Sequence, residues 1–151
     1  MRTLSTLGTR SVTDRLRLTY RQTFLGRQAE IAAFRELLRP DSPHALLVAE
    51  GPAGIGKTAL LRRFAEEART AGRSVLMIDG AQAGAWEGDD ATVVLVDDAD
   101  RIPDLEAWLV DRLLPRLPVD ARVVLAARRS PVTRWSADPG WSQAIRPLPL
   151  G

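Results

Sequence analysis

Residues 44–58 read His-Ala-Leu-Leu-Val-Ala-Glu-Gly-Pro-Ala-Gly-Ile-Gly-Lys-Thr, and the rest of the chain is ordered around them. The first seven residues, His44 to Glu50, are a short, nearly all-apolar run bounded by turn residues, which predicts a strand buried on both faces. From Lys57 to about Ala71 the apolar positions Leu60, Leu61, Phe64, Ala65 and Ala68 form one stripe at helical spacing, and Gly72 sits where a left-handed cap is favoured. Between strand and helix lies a glycine-rich turn. Glycines let the backbone wrap so that several N–H groups point inward, and the positive end of the following helix completes a concavity suited to an anion. Gly51, Gly56, Lys57 and Thr58 fall on the spacing G-x-x-x-x-G-K-[ST], whose chemistry is that of a phosphate cradle.

In that reading Pro52, Ala53, Gly54 and Ile55 carry the loop, and Ala59 continues it into the helix. Lys57 supplies a compact charge for the β and γ phosphates, and the Thr58 hydroxyl is a ligand for Mg2+. Composition alone produces such a match in roughly one chain of this length in a few hundred. The preceding apolar strand and the following amphipathic helix are the setting the mechanism requires. Lys57 is also the only lysine among the 21 basic residues of the chain. Arginine serves the surface, and a flexible ammonium is kept where a rigid guanidinium fork would not fit.

A phosphate-transfer site needs an acidic residue at the end of a buried strand, and Val93-Val94-Leu95-Val96-Asp97-Asp98 offers two. Asp97 is expected to hold magnesium through its water shell. Asp98 is expected to orient or deprotonate a water that attacks the γ phosphate. Arg128 ends a further apolar run, 122–127, at a position from which it could sense that phosphate. Arg129, His44 and the four tryptophans read as solvated, capping or packing residues.

The remaining elements follow the same logic. Ile31, Phe34, Leu37 and Leu38 predict a helix after Gly26, stopped by Pro40 and Pro43. Residues 74–79 predict another buried strand, 105–114 a helix with Trp108, Leu109 and Leu113 inward, and 145–148 a fifth strand weakened by prolines. Strands alternating with helices give an α/β fold with a mostly parallel sheet of about five strands. The 151 residues suit one domain, read as residues 14–151 with a flexible arm over 1–13. Net charge is +2, with acids interleaved among the arginines, so a direct nucleic-acid face is not expected. No apolar run is long enough to span a bilayer. Absence of cysteine fits a reducing compartment, making the cytoplasm the expected location.

With these residues assigned, the chain resembles the STAND branch of the AAA+ P-loop ATPases, in particular bacterial ATPases with an origin-recognition-like nucleotide domain. Phe24-Leu25-Gly26-Arg27-x-x-Glu30 is similar to that family's N-terminal hhGRxxE box, 51–58 to Walker A, Leu95-Val96-Asp97-Asp98 to Walker B, and Ala127-Arg128 to its strand-end sensor arginine. The resemblance implies a three-layer P-loop NTPase fold, ATP with Mg2+ as ligand, and an adenine pocket formed in part by Leu25, Gly26 and Arg27. Two departures stand out. The crossover 80–91 is short for the helix that family members carry there, and the chain stops at Gly151, before the helical lid expected from the family. The resemblance then implies an ATP-binding switch of signal transduction or transcription regulation, with slow or absent hydrolysis in the isolated chain and a protein partner or C-terminal output domain to act on. An oligomeric ATPase that remodels DNA or protein, a scaffold with a degenerate nucleotide site, and a small-molecule kinase are the alternatives. Of these, the kinase has no evident acceptor-binding insertion.

Overall fold

Along β1 (Leu46–Glu50) side chains alternate between two apolar environments: Leu46 and Val48 face one layer, Leu47 and Ala49 the other. The same division holds along β3 (Val93–Asp97) and β4 (Arg122–Ala127). A sheet apolar on both faces must be covered on both, and the result is a three-layer α/β fold. The computed structural model describes residues 11–12, 27–52, 56–86, 91–129 and 143–150.

Five strands, with β2 (Val75–Asp79) and β5 (Ile145–Pro149) completing the set, form one sheet in the order β2-β3-β4-β1-β5, every pairing parallel. One face is covered by α1 (Gln28–Leu37) and α2 (Lys57–Thr70), which meet through a flat stack of Phe34 on Phe64 with ring centroids 4.3 Å apart. The other face is covered by a 3-10 segment, Gly80–Ala85, and by α3 (105–116), which bring Ala83, Trp108, Leu109 and Leu113 against β3 and β4.

One expectation is corrected and another refined. Residues 74–79 were expected to form a buried strand, yet β2 is an edge strand whose Met77 is 41% exposed. With β3 and β4 in the sheet centre, β2 has a single neighbour among the described residues. The helix expected over 105–114 is present but not uniform. α3 begins as one α turn at Leu105–Ala107, capped by the Asp104 carboxylate on the Ala107 N–H, and widens to a π-helix over Trp108–Leu113. Pro115 explains the change, since it cannot donate to the Asp111 carbonyl and its ring crowds that oxygen. The prolines of β5 are accommodated because that strand too lies at an edge, paired among the described residues with β1 alone.

Arg122 opens β4 from a buried position, 7% exposed. Its guanidinium donates to the carbonyls of Leu37 at 2.8 Å, Arg39 at 3.3 Å, and Asp120 and Ala121 at 3.1 Å each. The donors thereby close the negative end of α1, where helix carbonyls lack intrahelical partners. Arg73 reinforces the joint, donating to Leu38 at 2.8 Å and Asp120 at 3.0 Å. Among the described residues no helix is long and apolar enough to cross a membrane.

Candidate phosphate and metal site

β1, β3 and β4 end side by side, and their carboxyl ends bring the site together. Register pairs Glu50 with Ala127 and Asp79 with Asp97, so the glycine loop, the Asp97-Asp98 turn and Arg128 emerge at one rim of the sheet. Gly51 leaves β1 with its N–H bonded to the Ala127 carbonyl at 3.1 Å, tying the start of the loop to the end of β4. At the other end of the loop Gly56 adopts φ 93°, a left-handed conformation that costs any other L residue about 1–2 kcal/mol. Its carbonyl then accepts the Leu60 N–H at 2.9 Å, starting α2.

Lys57 lies in the first turn of α2 and is 8% exposed. Its ammonium donates to the carbonyls of Gly51 at 2.6 Å and Pro52 at 2.8 Å, so it folds back across the mouth of the loop. Thr58 donates its hydroxyl to Asp97 Oδ2 at 2.6 Å, and the Asp98 N–H donates to Asp97 Oδ1 at 3.0 Å. Both oxygens of Asp97 are thus oriented. Asp98 itself sits at φ 50°, in the left-handed region that aspartate tolerates better than most side chains. Gly56, Lys57, Thr58, Ala59, Asp97, Asp98 and Arg128 line one open cavity of about 330 Å3, within the ~300–1,000 Å3 usual for small-molecule sites.

The donor set has a definite chemical bias. A hydroxyl and two carboxylates are hard oxygen ligands. Among the described residues no group of three or more His, Asp or Glu converges. This set does not build an all-protein cage. It fits Mg2+, which takes one or two protein oxygens and fills its octahedron with waters and substrate phosphates.

Of the residues expected from sequence, Gly51, Pro52, Gly56, Lys57, Thr58, Ala59, Asp97, Asp98 and Arg128 are brought to this rim. Arg27 precedes α1, is 8% exposed and pairs with Glu30 at 3.4 Å. Ala53, Gly54, Ile55, Leu25 and Gly26 lie outside the described residues, as does most of the arm expected over 1–13. Arg129 is exposed, and no contact among the described residues brings it to the cavity. His44 is half-buried at the opposite end of β1, beside Arg146 and Asp41. One participant went unread in the sequence: Gly80, which packs against the Asp97-Asp98 backbone. Its signal was a lone glycine at a strand end, a mark of close backbone approach.

Residues 23–87 match the family model described as "AAA ATPase domain". No curated protein matches the chain. Among solved structures, "Replication initiator DnaA bound to AMPPCP and single-stranded DNA" aligns with TM-score 0.57 and 16% identity over 82% of this chain and 46% of that one. AMPPCP-bound DnaA from Aquifex aeolicus aligns with TM-score 0.55 and 18% identity, again over 82% of this chain and 46% of that one. A structure described as a DNA replication initiation factor gives 0.54 and 18%, with the same coverage of both chains. The chain spans about half the length of these structures and shares their fold, that of the P-loop NTPases. Together, the matched stretch and the fold support a nucleotide-binding module of the AAA+ ATPase type.

Proposed function

We propose that this chain is the Mg-ATP-binding core of a STAND-type regulatory ATPase, a switch whose nucleotide state is read by a protein partner or a further domain. The observation that carries this reading is the convergence of Lys57, Thr58, Asp97, Asp98 and Arg128 on one cavity at the mouth of the glycine loop. Lys57 offers the phosphates an ammonium already held at the loop by two carbonyls. Thr58 and Asp97 hold their oxygens 2.6 Å apart, a spacing suited to one magnesium shell. Magnesium, when bound, would neutralise charge on the phosphates. Asp98 lines the same cavity and is the candidate to orient a water, while Arg128 contributes positive charge from the end of β4. The STAND assignment rests on the similarity of residues 24–30 and 95–98 to that branch.

Slow turnover is part of the proposal. Thr58, Asp98 and Arg128 are all exposed, and an open site surrounds them with water that weakens each electrostatic interaction with a developing charge. Nucleotide, rather than nucleic acid, is favoured as the ligand by the arginines that pair with acids on the surface, such as Arg146 with Glu36, Arg35 with Glu67 and Arg39 with Asp41.

Titration of the purified chain with a fluorescent ATP analogue, with and without magnesium, tests the reading. Wild-type protein should bind with an affinity that magnesium increases, and Lys57→Ala should lose at least about tenfold, the effect of removing one charge-assisted contact of ~1.5–3 kcal/mol. Equal binding by wild type and Lys57→Ala would remove the basis of the proposal. Turnover that climbs steeply with protein concentration would instead favour an oligomeric ATPase.

A further inference from the structure

Gly80 follows the last residue of β2, and Asp79 is in register with Asp97 of β3. The next step along each strand brings Gly80 beside Asp98, where the chain turns left-handed and its carbonyl swings toward β2. A Cβ on residue 80 would drive into the Asp98 carbonyl oxygen and lie 2.7 Å from its carbonyl carbon and 2.9 Å from the Asp97 carbonyl oxygen. These are backbone atoms, so no side-chain rotation can relieve the clash. The turn itself would have to move. That carbonyl also accepts the Arg101 N–H at 3.0 Å, which closes the 3-10 turn after Asp98.

Gly80 is held firmly from the other side. The 3-10 segment it opens is fastened to α3: Trp108 Nε1 donates to the Ala83 carbonyl at 3.3 Å, and Arg112 donates to Gly84 at 3.2 Å and Trp86 at 2.7 Å. Arg116 lies over the Trp86 ring at 5.9 Å from its centroid. The segment is therefore backed against α3 and has little room to yield. We propose that Gly80 is a positioning residue for the acidic turn, setting where Asp97 and Asp98 stand relative to Thr58. The inference rests on the Mg-ATP reading above. A shift of the turn breaks the 2.6 Å contact between Thr58 and Asp97 and misdirects Asp98, while leaving the loop, Lys57 and α2 in place.

The experiment compares four chains with wild type by fluorescent-ATP titration with and without magnesium, alongside thermal melts followed by circular dichroism. Gly80→Ala should keep its magnesium-free affinity and lose the magnesium-dependent gain by about tenfold or more, the usual scale for misplacing groups that orient a metal ligand. Gly84→Ala makes the same change in the same segment, where a Cβ meets nothing within 4 Å, and should behave as wild type. Gly80→Ala combined with Asp97→Asn, set against Asp97→Asn alone, tests the route: once the Asp97 carboxylate is gone, adding Gly80→Ala should cost no further magnesium response. A magnesium response in Gly80→Ala equal to that of wild type overturns the inference and leaves the Mg-ATP reading standing. Wild-type protein without a magnesium response overturns both. If Gly80→Ala and the double variant fail to fold while Gly84→Ala folds, the glycine serves packing in general and the positioning role is refuted.

Discussion

Replacing Arg122 by methionine tests whether the joint between α1 and β4 is a hydrogen-bonding device or only a packed side chain. Methionine preserves most of the apolar stem and deletes every donor. Four carbonyls lose a bond, but not equally. Arg39 keeps the Ser42 N–H at 3.0 Å and Asp120 keeps Arg73 at 3.0 Å. Leu37 and Ala121 retain no other donor among the described residues. Two buried acceptors left without partners cost ~1–3 kcal/mol each, and relief of the desolvated guanidinium offsets part of that, leaving about 3 kcal/mol. For a domain of this size the melting temperature should fall by ~6–12 °C, at about 2–4 °C per kcal/mol. Because Arg73 and Arg122 share the Asp120 carbonyl, Arg73→Met and Arg122→Met should cost together about 1 kcal/mol more than their sum. Urea denaturation of the four chains measures both quantities. A loss below about 1 kcal/mol for Arg122→Met, or simple additivity of the pair, refutes this account of the joint.

Two further outcomes are expected. Thr58→Val, nearly the same shape without the hydroxyl, should leave magnesium-free nucleotide binding unchanged and lower the magnesium-dependent gain by about tenfold or more, since it removes both the proposed metal oxygen and the donor to Asp97; isothermal titration in the two conditions reads it. Glu67 receives a hydrogen bond from Arg35, and this, more than the opposing effect of burial or the charges of Arg35 and Arg63, holds its carboxyl below the ordinary value of 4.5. A depressed folded-state pKa gives stability that is present above that value and lost as pH falls through the folded one, so Glu67→Gln should flatten the acid limb of the stability profile. Arg35 is exposed and Glu67 only partly covered, so solvent screens the pair and the effect is small and should shrink in high salt.

Residues whose neighbours in sequence are also their neighbours in space were the ones the sequence revealed. The strand before Gly51 and α2 after Gly56 lie close in sequence, and apolar period and glycine spacing located both. Asp97 and Asp98 were readable because a run of four buried β-branched and leucine residues ends on them. What pattern could not supply was lateral order. β2 carries nearly the same apolar run as β3, yet one strand is an edge and the other is central, because β3 and β4 lie between β2 and β1. The π-helical stretch depends on a steric effect of Pro115 acting backward on Asp111, which a periodicity count does not register.

That lateral order also makes the site. Lys57 and Thr58 follow β1, Asp97 and Asp98 follow β3, and these strands are not neighbours, since β4 runs between them. Without β4 in that position the Ala127 carbonyl would not receive the Gly51 N–H, and Arg128 would not stand at the cavity. In open α/β sheets ligands collect beyond the carboxyl ends of strands where the chain order breaks. Here the chain leaves β1 through the loop and α2 and reaches β2 at the far edge, skipping the places that β3 and β4 later fill. The loop therefore opens over strand ends that supply acids and a cation from two later segments. Gly80 belongs to the same geometry: the edge strand must end without a side chain because the acidic turn of neighbouring β3 occupies that space.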